Sequence, residues 1–401
     1  MDYQKTMGHV TSLPSCVILA TGRTGSDFLQ SLLDSHPELL VFNGVFFFHD
    51  FWNKSKCRRS TNFNLSDFLD EFIGDHIEKF ISTYDTIEKK GCLGINKDQS
   101  IRIDLDTFKS HAIYLLDGFE NSSRNILIAI YASYALSLNR DVMQTRVLIH
   151  HLHHHFRLPD YLLDFPDSKV ISTTRDPRAN FVSSVRHWSA YSKGTFRGGL
   201  INHSLRKIQR DELAEELCLK GNHRAIKLED LGDTGTLELL AQWLGIRYSD
   251  SMKISSFGGL LWHGDALSTG VKTGTGFSKQ MAHNQWSQIL SRKDQYLFNI
   301  LLNRRLESYG YSHRKITITS LLITPLLILL PLTFEKELFS RFYIKAHINE
   351  HRLLAHNFIS YIRRIGHFAA LYKELFSTKS WPVKLISAVP ADSPKNRGPS
   401  N

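Results

Sequence analysis

The sequence predicts an α/β protein with a central, mainly parallel sheet flanked by helices and a helical C-terminal extension. Across residues 15–312, β-rich apolar runs alternate with segments of helical period, the pattern of parallel strands joined by helical crossovers. Two of those runs, "CVILAT" and "KVISTT", stop at a short turn before a helical stretch begins. A third observation sets the extension apart. From residue 315 the alternation gives way to an uncharged run and then to mixed aromatic and basic sequence.

In chain order, Cys16–Thr21 is a continuous apolar run suited to a strand buried on both faces, and Ser26–Ser35 follows it with helical spacing. Leu39–Phe42 is the next strand. Leu65–Tyr84 and Ser122–Asn139 are helices; Ile126–Leu138 is apolar but too short to cross a bilayer, so it belongs in the core. Val147–His150 and Lys169–Thr174 are strands. Pro177–Trp188 is the helix after the second of these, with its proline where a first turn accepts one. Strand Arg224–Leu228 and helices Gly235–Leu244 and Ser291–Tyr309 complete the body. Glycine-rich 268–279 is expected as a mobile or ligand-covering loop, and "VPADSPKNRGPSN" as a disordered end. The expected division is 1–314 for the body and 315–401 for a hydrophobic and basic helical tail.

Composition narrows the function. At 42% hydrophobic and 22% charged residues, the 401-residue chain is neither fibrous nor disordered. The net charge is +10, and residues 313–401 hold 13 Lys/Arg against 5 Asp/Glu, so +8 (13 − 5) lies there. A nearly neutral body excludes a general nucleic-acid binder, whereas a basic tail suits an anionic membrane surface. Cys16, Cys57, Cys92 and Cys218 are too scattered for a metal clip and fit reduced thiols. The opening "MDYQKTMGHVTSLPS" lacks the apolar core of a signal peptide. The expected address is cytoplasmic.

Two motifs carry chemistry. In "GRTGS", Gly22 to Ser26, a strand hands over to a helix whose first amides have no intrahelical acceptor and whose dipole favours an anion. Gly25 lets a phosphate approach the backbone, Arg23 adds charge and Ser26 adds a hydroxyl. The lysine-bearing triphosphate loop GxxxxGK[ST] is absent, which disfavours a nucleotide kinase. In "KVISTTRDPRANFVSS", Arg175 ends a strand and Ser183 follows two helical turns later, so both can donate to one anionic group. Two anion sites at strand ends suit a ligand with two separated phosphate-like groups.

With "DSHPEL" and the later "RAIKLEDLGDTGTLELLAQWLGI" and "LESYGY", these motifs run in the order of the sulfotransferases that use 3′-phosphoadenosine 5′-phosphosulfate, and over residues 15–312 the chain resembles that family, in its bacterial carbohydrate type. The resemblance implies the P-loop-like sulfotransferase fold. It implies that Arg23, Thr24, Gly25, Ser26, Asp27 and Phe28 cradle the 5′-phosphosulfate and that Arg175 and Ser183 hold the 3′-phosphate. Lys272 or Lys279 would reach a phosphate from the glycine-rich loop. The donor is a co-substrate, and no metal is required. The reaction implied is in-line transfer of the sulfuryl group to a hydroxyl, with Arg23 stabilising charge on the bridging oxygen. Asp27 beside an anion is expected to turn away and support the helix N-terminus.

One position departs from the family. Many relatives carry a glutamate base a few residues after His-Pro, but "HPELLVFNGVFFFHDF" has Val45 there. Either the base lies elsewhere or catalysis is lost. His49 and Asp50 are one source; His150 and His151, expected at the end of the strand in "VLIHHLHHHF", are the other and the better placed. That histidine run carries no carboxylate or cysteine spaced to complete a metal site.

In the tail, "ITITSLLITPLLILLPLTF" holds no charge over 19 residues, with Pro325 and Pro331 positioned to kink it. The following aromatic and basic stretch has an interfacial, amphipathic character. A simple span would carry 11 Lys/Arg and 5 acids (residues 335–401) across the membrane, against the positive-inside tendency. A peripheral or monotopic attachment on the inner face of the cell membrane is therefore expected, serving a carbohydrate or lipid-linked acceptor. The rival expectations are a catalytically silent nucleotide-binding or scaffold protein of the same fold, and a tail that is an ordinary packed helical layer.

Overall fold

The computed structural model describes the whole chain except residues 21, 82–91, 192–197, 210–220, 265–274, 280–281, 283–285, 378–383 and 390–401. Six strands form one sheet: β1 (Ser15–Ala20), β2 (Leu39–Val41), β3 (Val147–His153), β4 (Lys169–Thr174), β5 (His223–Lys227) and β8 (Leu385–Ile386), in the spatial order β2-β3-β1-β4-β5-β8. Every neighbouring pair is parallel. A separate hairpin pairs β6 (Ser256–Phe257) with β7 (Leu260–Leu261). The expected fold class is the observed one. With β1 central, the carboxyl ends of β1, β3, β4 and β5 open on one edge, which is where parallel sheets bind ligands.

Strand parity sorts the core. Val17 and Leu19 of β1, Leu148 and Leu152 of β3 and Val170 of β4 face the helix Ser123–Ser137 together with Phe42, Phe46 and Phe72. Cys16, Ile18, Ile149 and Ile171 face the helices Ser26–Leu33 and Thr234–Leu244. Covered on both faces, these strands read as unbroken apolar runs. Ser123–Ser137 buries every residue from Ile126 to Leu136, so it is the core helix expected from its composition. Burial of Cys16 pushes its thiol up to about 12, consistent with an inert packed thiol.

Four differences from the sequence reading have physical causes. The helix expected at 65–84 is Leu65–Asp75 and Glu78–Ile81, broken where His76 turns back on the Phe72 carbonyl; 82–84 lie outside the described residues. The helix expected at 291–309 breaks at Leu302, giving Arg292–Leu301 and Asn303–Ser308. β3 runs three residues past its expected end, because Leu19 and Ala20 of β1 continue to pair with Leu152 and His153. The boundary at 314/315 is not a packing boundary. Leu332, Phe368 and Leu371 of the tail share one buried cluster with Phe181, Leu297 and Phe298 of the body, and β8 adds a strand beside β5.

The tail folds back on the body. Ile318–Ile328 and Thr333–Leu338 are separate helices, and the long helix His351–Glu374 packs against Gly199–Gln209. Asn202 donates to the Ser360 carbonyl at 2.8 Å, and the Gly198 amide donates to Asn357 Oδ1 at 3.0 Å. Fully buried Arg364 pairs with Glu335 at 3.1 Å and donates to the Ile328 carbonyl, closing the turn between the two short helices.

Candidate active site

The turn after β1 is built for close approach. Gly22 has φ +110° and Gly25 φ +93°, and Arg23 between them takes φ +54°, a left-handed conformation that a non-glycine residue adopts at a cost. A Cβ on Gly25 would meet Leu228 Cδ1 at 2.6 Å, and one on Gly22 would meet Lys207 Nζ at 2.7 Å. Gly25 is therefore constrained by space as well as by φ, and Gly22 by its φ, since the lysine tip it faces can move. Buried Thr24 shares a hydrogen bond with Thr173 of β4 at 2.8 Å, pinning the turn to the neighbouring strand. Gly25 caps the helix Ser26–Leu33, and Ser26 and Asp27 form its first turn. Phe28 packs near Phe277, with ring centroids 6.2 Å apart.

Arg175 leaves the end of β4 and is buried. Its Nε and Nη2 donate to the Ala282 carbonyl at 3.0 and 2.7 Å, so the chain that follows the glycine-rich loop lies against it. Burial lowers its pKa to about 10; Glu229 opposes that shift, while Arg23 adds to it as a like charge. Arg23 and Arg175 thus press on one region. The other half of "RDPR" is structural. Arg178 grips Asp176 through both carboxylate oxygens and stacks over Trp286 at 4.3 Å. Behind Arg175, Glu229 accepts from the Asp176 amide at 3.0 Å and from Tyr311 Oη at 2.9 Å. Enclosure pushes its carboxyl up to about 7, more than the Asp176 amide and Arg175 can offset. Ser183 sits on the helix Pro177–Tyr191, partly exposed. Lys279 is exposed, and Lys272 lies outside the described residues.

β3 separates its histidines by parity. His150 points into the core, donating to or accepting from Tyr131 Oη at 2.8 Å and stacking on Tyr161 at 4.8 Å. Burial, with His49 as a lesser contribution, lowers its pKa to about 3, so it stays neutral and structural. His151 and His153 point to the other face, toward the phosphate-type turn. His151 is buried, with Nδ1 2.6 Å from Gln30 Oε1 and 4.0 Å from Asp27 Oδ1. Ser26 Oγ lies 3.4 Å from His153 Nε2. The Gln30 amide is oriented by its donation to the Phe42 carbonyl at 2.7 Å. Its Oε1 must therefore accept, which places the proton of neutral His151 on Nδ1 and leaves Nε2 as the basic nitrogen. Gln30 also reaches toward the Gly44 carbonyl at 3.5 Å, next to half-buried Val45. His151 is thus tied to the segment where relatives carry their glutamate.

The other two base candidates are engaged in holding the fold. His49 pairs with Asp164 at 2.9 Å, and Asp164 also accepts from Ser123. Asp50 pairs with Arg157 at 2.7 Å, whose guanidinium covers the Phe47 ring at 3.8 Å.

Asp27 does not turn away: it faces the β3 histidines. Asp27, His151 and His153 each bring a ligand atom within 4.8 Å of the others, a grouping that could hold a metal ion. The fold thus supplies, from another element, the carboxylate that the histidine run lacks in sequence. His151 Nδ1 is already held by Gln30, so a metal would meet His151 through Nε2 or displace that bond.

Sequence reasoning missed four contributors. Gln30 and Thr173 sit among other polar residues in SDFLQSLL and KVISTT, so neither stood out. Glu229 belongs to the "LED" of the later block. Lys207 had no signal; only helix packing brings it to the turn.

The comparisons follow this geometry. A protein-family model described as "Sulfotransferase family" matches residues 14–250. Among solved structures, the chain is similar to the sulfotransferase domain from the Synechococcus PCC 7002 olefin synthase, at 17% identity and TM-score 0.37, covering 70% of this chain and 90% of that one. It is also similar to the sulfotransferase domain from the curacin biosynthetic pathway, at 15% identity, TM-score 0.34 and 68% and 90% coverage. A third similarity is to sulfotransferase STF1 from Mycobacterium tuberculosis H37Rv, at 13% identity, TM-score 0.33 and 63% and 73% coverage. No curated protein matches the sequence.

Proposed function

The chain belongs to the sulfotransferase family, and from that membership we propose that it moves a sulfuryl group from 3′-phosphoadenosine 5′-phosphosulfate to a hydroxyl of a carbohydrate or glycolipid acceptor. One observation carries the reading. The Gly22–Ser26 turn follows β1 and Arg175 follows the adjacent parallel strand β4, so two basic sites open on the same edge of the sheet. A nucleotide with anions at both ends answers that arrangement. The turn and the first amides of Ser26–Leu33 would take the 5′-phosphosulfate, and Arg175 with Ser183 the 3′-phosphate.

In the reaction, the acceptor oxygen attacks sulfur in line while the bond from sulfur to the bridging oxygen breaks. His151 Nε2 takes the acceptor proton, with Nδ1–H held by Gln30. Arg23 meets the charge that appears on the departing phosphate, which leaves as 3′-phosphoadenosine 5′-phosphate.

The tail supports attachment to a membrane surface. Ile318–Leu338 has mean hydropathy 1.8 and the length to cross a bilayer, with 28% of its most apolar window buried. The first helix is 11 residues long, about 16 Å, well short of the roughly 30 Å of bilayer hydrocarbon. Ile318, Leu322, Leu326 and Phe342 are 79%, 71%, 66% and 88% exposed, and Arg341, Lys345 and Arg352 are exposed among them. An apolar face fringed with cations suits an anionic lipid surface met from one side, on the inner face of the cell membrane.

Val45 favours a second reading, a silent nucleotide-binding protein. Radiolabelled donor offered with glycan and glycolipid acceptors decides between them. Transfer to a hydroxyl acceptor, lost in His151→Ala while nucleotide binding persists, is the expected result. Donor binding with no transfer to any acceptor supports the silent reading.

A further inference from the structure

We propose that Lys207 is a third cation of the donor site, directed at the 5′-phosphosulfate end of the nucleotide; the inference rests on the sulfotransferase reading and deepens it. Lys207 lies on the helix Gly199–Gln209, outside every motif the sequence presents, and reaches the site by packing of that helix on Pro177–Tyr191. Its Nζ stands 2.7 Å from where a Cβ on Gly22 would be, so the ammonium rests against the backbone of the turn itself. Glycine at position 22 is what leaves it room.

Among the described residues, the surroundings hold a cation without neutralising it. The Trp188 ring lies 4.7 Å from Nζ, a cation–π contact that fixes the ammonium without cancelling its charge. Among the described residues, the charged or titratable groups around it are Arg23 from the turn, His187 from the neighbouring helix, and His203 and Arg206 on its own helix. From the tail helix, His356 approaches Gly199 and His367 lies within reach of the Arg206 charge. The Glu374 carboxylate behind the helix is paired with Arg305 at 3.2 Å. Among the described residues no carboxylate pairs with Lys207. Burial, and then Arg23, lower its pKa to about 8. Arg23 and Lys207 are two like charges at one glycine turn, an arrangement that a bound anion relieves. A lysine merely laying its stem along Trp188 would have no such dependence on the ligand.

The test is titration calorimetry at pH 7 with 3′-phosphoadenosine 5′-phosphate and with adenosine 3′-phosphate, which lacks the 5′ anion. Wild type, Lys207→Met and Lys207→Arg are compared. Loss of one charge-assisted contact predicts about a tenfold to hundredfold weaker bisphosphate affinity in Lys207→Met. Adenosine 3′-phosphate should bind that variant as it binds wild type, and Lys207→Arg should recover most of the bisphosphate affinity. Unchanged bisphosphate affinity in Lys207→Met, or an equal loss for both nucleotides, overturns the assignment while the donor reading stands. A wild-type protein that binds neither nucleotide overturns both.

Discussion

Glu229→Gln should change how stability depends on pH, in a direction the structure fixes. The folded Glu229 carboxyl is raised from 4.5 to about 7, first by burial, against the restoring Asp176 amide and Arg175. In the unfolded chain the same group ionises near 4.5. Between these values the unfolded state binds fewer protons than the folded one, so the contribution of Glu229 to stability falls as pH rises from about 4.5 to about 7 and is flat beyond. A rise from 4.5 to about 7 corresponds to about 3 kcal/mol. Charges inside proteins interact as in an effective dielectric of about 20, which holds the expected figure to about 1–2 kcal/mol. Glutamine keeps an acceptor for the Asp176 amide and a donor for Tyr311 Oη, so the exchange is close to isosteric. Urea unfolding of both proteins at pH 5 and pH 8 isolates the effect, because every other titrating group cancels in the difference. The variant should gain about 1–2 kcal/mol relative to wild type on going from pH 5 to pH 8. A difference that is the same at both pH values would refute the assignment of Glu229 as the raised carboxyl behind the anion site.

Three further outcomes follow from the same geometry. Arg175→Ala should weaken 3′-phosphoadenosine 5′-phosphate by about 1.5–3 kcal/mol in calorimetry while leaving adenosine 5′-phosphate nearly unchanged, since only the former carries the 3′ anion. His150→Ala should lower thermal stability through loss of its stacking on Tyr161 and its bond to Tyr131, whereas His151→Ala should lower turnover about a hundredfold or more with nucleotide affinity kept. The double variant Leu322→Glu/Phe342→Glu should stop flotating with anionic vesicles yet retain turnover on a soluble acceptor; co-flotation equal to wild type would count against the apolar face as the contact.

The fold was legible where local pattern and global role agree. β1 and β4 are apolar runs because both faces are covered, and the turns after them are visible because Gly22, Gly25 and Pro177 obey backbone rules that no tertiary context changes. The donor-binding turn could be written down for the same reason. His150 and His151 could not be told apart from sequence, because they are adjacent and differ only in the face they take. An expected strand end at 150 left both near the site; the actual end at His153 makes parity decisive, sending His150 to Tyr131 and His151 to Gln30. "DSHPEL" proves to be scaffolding: buried Asp34 accepts from Ser256 and the Gly258 and Gly259 amides, and Glu38 takes Arg247 at 2.7 Å. Those partners lie some 200 residues away, where no local pattern reports them.

The tail was the hardest segment to read, because one composition serves two purposes. Its outward face exposes Leu322, Leu326 and Phe342, and its inward face buries Phe368 and Leu371 against Phe298 and Leu297. Hydropathy alone cannot separate the two faces when a helix is apolar nearly all round. The consequence is that residues 315–401 are not a removable anchor. Cutting the chain after residue 314 would expose the cluster around Phe181 and Phe298, remove β8 from the edge of β5, and take away the Ser387 hydroxyl that donates to Asp230 at 2.6 Å. Each large side chain so exposed costs about 1.5–3 kcal/mol, and several are lost together, against a total stability of about 5–15 kcal/mol for a domain. The truncated body should therefore fail to unfold cooperatively in a thermal melt, where the full chain gives a single transition. A truncated body that melts as sharply as the full chain and still binds the bisphosphate would show that the tail is only an attachment. The helix Gly199–Gln209 makes that outcome physically unfavourable: one face carries Lys207 to the donor turn, and the other holds Asn202 on the Ser360 carbonyl of the tail.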